Sequence, residues 1–282
     1  MNKINKGDIV GRKSYGKDII FTVRNILATK NGKIAILKGI TKRVEADSDL
    51  EDLELISEDK IKNAIEEVEN DIEMRIEKSK IGNKDENYTI GVLTKNNRSR
   101  EKIVTGKILH LDGDRKYSKK SYWYYKKLGL NAVVKNIPEY KQPKVVYNLL
   151  ELNNPDILVI TGHDGMIKKG RDYQNIYNYR NSRYFINTVK EARRYDKEKN
   201  KKLVIFAGAC QSYFEAIISA GANFASSPAR ILIDFLDPLI VAEKVAYTEN
   251  YKYITIDDIA KELRDGKRGV SGIGANGKMV RE

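Results

Sequence analysis

The chain holds one cysteine, Cys210, and two histidines, His110 and His163. A thiolate is the nucleophile of cysteine chemistry, and imidazole is the side chain that exchanges protons most readily near neutral pH. Cys210 and His163 stand in two segments of nearly the same construction, PDILVITGHDG ending at Gly165 and KLVIFAGACQS ending at Ser212. Each is a continuous apolar run, as a strand buried on both faces requires, followed by glycine and then a reactive side chain. If the two strands are neighbours, a right-handed crossover sets their ends side by side, with His163 and Cys210 at the same sheet edge. A small buried hydrophobe is the commoner fate of a lone cysteine in an apolar run, and a strand-end histidine is often only hydrogen-bonded. The coincidence of both on matching strand ends favours chemistry over packing. Ser212 and Glu215 have the capping-box spacing, so a helix is expected to start just after the sulfur, its positive end favouring thiolate and offering N–H groups to an oxyanion. One cysteine allows neither an internal disulfide nor a multi-cysteine zinc site, and the chemistry calls for no metal and no cofactor. The segment GHDG lacks the spacing of a phosphate-binding glycine loop.

The elements that must position these groups are legible in outline. From residue 106 onward, strand candidates at 107–111, 132–137, 156–161, 203–207 and 223–225 alternate with helix candidates at 117–128, 142–152, 179–198 and 212–220. That alternation predicts an α/β domain over 106–282, a parallel sheet flanked by helices with its site at the carboxyl ends of the strands. The first 56 residues read as short strands and turns, among them 18–23, 33–38 and 43–46 with a hairpin turn at Asn31-Gly32, a small SH3-like β-barrel over 1–56. Between the two, 57–105 combines an amphipathic helix with an exposed linker. The helix carries Ile61, Ile65, Val68, Ile72 and Ile76 on one stripe, and the linker begins after Ile81.

Composition limits the classes of function. The 282 residues carry 52 Lys and Arg against 39 Asp and Glu, a net charge of +13, with 41% hydrophobic residues. That balance fits a folded soluble protein and favours acidic partners. Eleven basic and three acidic residues lie between Lys95 and Lys127, and a second basic stretch runs from Lys168 to Lys202. Solvated surface is the commoner meaning of such stretches, and nucleic acid is not the expected partner. A basic scaffold or nucleic-acid-binding protein without enzymatic activity is the alternative. No run approaches the roughly 18 apolar residues of a membrane span, and the expectation is an intracellular protein with no membrane partner.

A histidine after one hydrophobic block and Ala-Cys after the next, here His163 and Ala209-Cys210, resembles the caspase, gingipain, clostripain and separase group of cysteine peptidases. The usual histidine-glycine pair is interrupted by Asp164, which leaves Asp164 or Gly165 as the oxyanion donor beside Cys210. Class I glutamine amidotransferases share a cysteine elbow like GACQS, but they take their histidine from after the cysteine, and both histidines here precede it. The phrases GDIVGRKSYGKDIIF, AILKG, ADSDLEDL, GKILHLDGD, PDILVITGHD, LVIFAGACQS and AGANFASSPAR resemble the YabG family, sporulation-specific proteases of spore-forming bacteria. The resemblance implies a caspase-like fold and a His163/Cys210 dyad. It further implies spore coat, cortex or germination proteins as substrates, cleavage after arginine, frequent self-processing and a site of action in the mother-cell cytoplasm at the developing coat.

An arginine pocket needs a carboxylate at its base. In caspase-like folds that pocket lies at the ends of the first strand and of the strand after the nucleophile. By position this points to Asp112 and Asp114, with Ser226 and Ser227 as walls. Asp114 could equally cap the helix that follows it. His110, on the first strand, is expected to pack rather than to react. Arg98 and Arg100 in the linker are the candidates for self-cleavage.

Overall fold

A computed structural model describes residues 3–30, 32–85, 103–167 and 172–281. Arg98, Arg100 and Asn31 lie outside the described residues. The N-terminal strands β1 (Ile9–Arg12), β2 (Phe21–Thr29), β3 (Gly32–Gly39), β4 (Glu45–Asp49) and β5 (Leu53–Leu55) form one antiparallel sheet in the order β4-β3-β2-β1-β5. Alternate residues of this sheet turn inward, so that Val10, Phe21, Val23, Ala35 and Leu37 are buried together. Sequence reasoning missed β1 and β5, which are short and carry little apolar alternation.

Helix α1 (Glu58–Asp85) follows, running four residues past Ile81, where the linker is expected to begin. Its stripe docks on the body of the protein through Ile72 and Ile76, with Val68 partly covered. The short strand β6 (Ile103–Val104) then leads into the larger sheet.

That sheet contains β7 (Ile108–Asp112), β8 (Ala132–Asn136), β9 (Ile157–Thr161), β10 (Val204–Ala207) and β11 (Phe224–Ser226), each within two residues of its expected limits. The order is β13-β11-β10-β9-β7-β8, all parallel except β13 (Val270–Gly272), which runs antiparallel on β11. The short strand β12 (Tyr253–Ile254) pairs with β14 (Ala275–Asn276), and β15 (Val280–Arg281) with β6. Helices α2 (Arg115–Lys127), α3 (Gln142–Asn153), α4 (Ser182–Lys199), α5 (Phe214–Ser219), α6 (Asp237–Tyr247) and the single turn α7 (Ile256–Ile259) complete the chain.

The continuous apolar strands mean that both faces are covered. Ile157 and Val159 of β9 face α2 and α6 in one core, while Leu158 and Ile160 face α3 and α4 in the other. Helix α6 escaped sequence reasoning because ten of its eleven residues are buried, which leaves no amphipathic stripe to read. The N-terminal sheet lies across the carboxyl ends of the larger one: Val44 makes a parallel bridge to Asp164, and Glu45 N–H donates to Asp164 O at 2.9 Å.

Candidate active site

The site is set by strand register. Ile160 of β9 lies opposite Ala207 of β10, and Gly208 N–H carries the ladder one step further by donating to Ile160 O at 3.0 Å. Three residues beyond that pair on either strand are His163 and Cys210, each following its strand at the same edge of the sheet. Gly208 adopts φ +115°, and a Cβ there would fall 3.0 Å from Ser226 Oγ, so only glycine turns the chain from β10 toward Cys210.

Both groups are completely buried. The backbone of His163 is held from two sides: its N–H donates to Glu139 Oε1 at 2.8 Å, and its carbonyl accepts from Asn181 Nδ2 at 2.8 Å. Its ring is different. Neither Nδ1 nor Nε2 has a hydrogen-bond partner, and the nearest aromatic neighbour is Tyr117, with ring centroids 5.8 Å apart. Burial first, then the positive charge of Lys38, pushes the imidazole pKa down to about 3. The Cys210 sulfur contacts Ile233 O at 3.8 Å and belongs to the apolar cluster of the N-terminal sheet. Burial raises the thiol to about 11, against the opposing influence of the Ile233 and Arg43 backbones. The resting pair is therefore a neutral ring and a protonated thiol.

This differs from the expectation of a thiolate at a helix start. Helix α5 begins at Phe214 with no side-chain cap. Ser212 Oγ instead donates to Asp164 Oδ2 at 3.0 Å and accepts from Ala209 N–H at 2.9 Å. Glu215 pairs with Arg230. The capping residues were recruited by tertiary partners, and a six-residue helix remains.

Asp164 is the organiser of the loop between the two strands. Its carboxylate, fully buried, accepts from Gly165 N, Asn181 N, Ser182 Oγ and Ser212 Oγ. Burial pushes its pKa up to about 6. Its own N–H donates to Arg43 O at 3.3 Å. Of the two oxyanion candidates, then, Asp164 N–H meets a peptide carbonyl and Gly165 N–H is engaged by the Asp164 side chain.

Asp112 ends β7 with no exposure, accepting from Thr161 Oγ1 at 2.9 Å and from Asp114 N at 2.7 Å. Its Oδ2 lies 2.7 Å from Nη1 of Arg43, an arginine that is only 1% exposed. Asp114 takes the capping role: its Oδ1 accepts from Lys116 N and Tyr117 N at the start of α2. Despite burial, His163, once acid protonates it, and the Lys38 ammonium hold its carboxyl well below the usual range. His110 packs as expected, bonded to Tyr125 and Thr161 and so backing the Asp112–Thr161 pair. Burial keeps it well below the ordinary imidazole pKa.

Ser226 and Ser227 do not join Asp112. Ser226 ends β11 and Ser227 follows it, three strand spacings or roughly 14 Å from β7. Ser227 Oγ ties Gln211 N to Ile231 O, which fixes the loop after Cys210, while Ser226 Oγ is buried without a hydrogen-bond partner. Sequence reasoning missed Arg43, Tyr117, Glu139 and Asn181. Only Glu139, an acid directly after Pro138 at a helix start, carried any local signal.

A pH effect follows from the buried ring. The folded state keeps His163 neutral down to about pH 3, whereas an unfolded chain protonates it near pH ~6.5, so acid favours unfolding between those limits. Between pH 7.5 and 5 the natural chain is expected to lose about 2 kcal/mol relative to His163→Gln, read from urea midpoints. Parallel pH curves for the two proteins would contradict the assignment.

A family model described as YabG peptidase U57 matches residues 5–282. The "Sporulation-specific protease YabG" of Bacillus subtilis (strain 168) is 37% identical over 287 residues, spanning 97% of this chain and 95% of that protein. No solved structure matches the chain significantly. With nearly its whole length matched by the family model and by this relative, the chain belongs to the YabG peptidase family, U57.

Proposed function

We propose that the chain is a cysteine endopeptidase that cleaves after arginine in spore proteins during sporulation. Family membership supports the protease role. The observation that carries the catalytic assignment is the imidazole: a fully buried histidine whose ring nitrogens meet no protein hydrogen-bond partner among the described residues, three residues past a strand that pairs with the one leading to the chain's single thiol.

In this reading His163 takes the proton of Cys210, and the thiolate adds to the carbonyl carbon of the scissile bond. The oxyanion receives the Asp164 N–H together with that of Cys210. Imidazolium gives its proton to the departing amine, and the neutral ring then takes a proton from water as hydroxide opens the thioester. Asp112 reads the arginine by charge. Coat, cortex or germination proteins are the substrates, and self-processing falls at Arg98 or Arg100. The larger sheet is read as caspase-like over 106–282, the N-terminal sheet as SH3-like over 1–56, with 57–105 linking them; β11 following the nucleophile strand in parallel supports the first of these.

The test is to incubate the purified chain with arginine-containing peptides, add a thiol alkylator during turnover, and sequence the fragments. Fragments ending in arginine, whose production stops on alkylation, are expected. Cleavage that continues once Cys210 carries the alkyl group overturns the assignment. Salt-sensitive nucleic-acid binding indifferent to Cys210, without any cleavage, would favour the scaffold instead.

A further inference from the structure

The loop from Ile40 to Val44 joins β3 to β4 and carries the most deeply buried arginine of the N-terminal sheet into the edge of the other. Arg43 places three parts of itself against three parts of the site. Its guanidinium reaches the Asp112 carboxylate at 2.7 Å. Its carbonyl accepts from Asp164 N–H at 3.3 Å. Its positive charge and its backbone both weigh on the Cys210 thiol, each opposing the rise that burial causes. Side chain and carbonyl thus meet the two groups that an arginyl substrate's would meet, the candidate pocket carboxylate and the candidate oxyanion N–H. The two residues that follow continue the mimicry, Val44 bridging Asp164 and Glu45 N–H donating to Asp164 O.

We propose that Arg43 is a built-in occupant of the arginine pocket, a substrate mimic on the 40–44 loop that keeps the peptidase latent until the loop is displaced. The proposal rests on the cysteine-peptidase reading above and names the pocket's resident ligand. The occupant is held by charge and stacking: Arg43 lies over the Tyr117 ring at 4.6 Å and the Phe235 ring at 5.2 Å. Its hydrogen bonding is incomplete. None of its three side-chain nitrogens meets a well-aligned acceptor, so the contact with Asp112 is an ion pair by distance alone. A ligand seated this way can be exchanged for an arginine that forks better onto the same carboxylate. Tyr117 couples the plug to the catalytic ring, since it touches both Arg43 and His163 and its hydroxyl donates to Ile40 O at 3.3 Å. Cys210 is fully buried in a cluster that joins the N-terminal core, Val44 included, with Ile233.

The test compares the natural chain with Arg43→Met and Arg43→Lys in two readouts, the rate of Cys210 alkylation and kcat/KM on an arginyl peptide. Both are expected to rise at least about tenfold in Arg43→Met, with Arg43→Lys between. Acetyl-arginine amide should slow alkylation of Arg43→Met again, while acetyl-alanine amide should not, because only the former refills the pocket. Equal alkylation rates in all three proteins overturn the proposal, as does an acceleration that acetyl-arginine amide leaves untouched. If Arg43→Met does not fold, Gly39→Ala serves: its Cβ would fall 2.4 Å from Lys42 O, shifting the loop with Arg43 and Asp112 intact. Faster alkylation there supports the latch, and an unchanged rate overturns it. Alkylation reads the latch and cleavage reads the peptidase. Labelling that responds to Arg43 without any cleavage in any variant therefore overturns only the enzymatic reading.

Discussion

Cys210→Ala is expected to lower cleavage of arginyl peptides by at least about 10⁴-fold, in line with the losses that follow removal of a covalent nucleophile. The fold should survive. The side chain is small, and its sulfur makes one long hydrogen bond, to Ile233 O, so the stability cost is about 1 kcal/mol. Residual cleavage should be insensitive to thiol reagents, because Cys210 is the single cysteine of the chain. The measurement is single-turnover cleavage beside urea unfolding of the same preparation. Full activity in the alanine variant would remove sulfur from the mechanism.

Asp112→Asn is expected to have the second-largest effect, and it acts twice. In the resting fold it strips the buried Arg43 guanidinium of its counter-charge, and an uncompensated buried charge costs about 3–5 kcal/mol. In the working enzyme it removes the group proposed to read arginine, and kcat/KM for arginyl peptides should fall about 10²- to 10³-fold. The two effects separate in the double variant Asp112→Asn/Arg43→Met. There the urea midpoint should return toward the natural value while arginine cleavage stays depressed. If Asp112→Asn alone cuts arginyl peptides at the natural rate, the specificity carboxylate lies elsewhere. Isosteric Asn is the useful replacement because its amide oxygen can still accept from Asp114 N, while its amide nitrogen faces Thr161 Oγ1, a hydroxyl that can accept as well as donate.

The larger sheet was readable because its physics is local. Apolar runs of four to six residues bounded by glycine and polar turns announce buried parallel strands, and the match between the His163 and Cys210 segments gave their placement. The first carboxylate candidate, Asp112, followed from position at the end of a strand, and it does sit opposite an arginine. What the sequence hid is what depends on distant partners. Arg43 lies in the string TKRVE, where it looks like any surface charge, and its burial is a product of how two sheets stack. Ser212 and Glu215 spelled a helix start by local rules, yet Asp164 and Arg230 compete for them more strongly across the fold. The depressed imidazole and raised thiol likewise come from a cover that no window of residues encodes.

The bridge between Val44 and Asp164 has a consequence for what can be digested. Under the proposed latch, an incoming polypeptide must supplant a stretch of main chain, exchanging each amide contact for one of its own, as in strand addition. Extended, unstructured regions of a target can make that exchange step by step, whereas a compact domain presents its arginines on surfaces too curved to insert. Timing of proteolysis would then be governed by when a client is still unfolded or freshly assembled, and the enzyme could sit among mature, tightly packed proteins without attacking them.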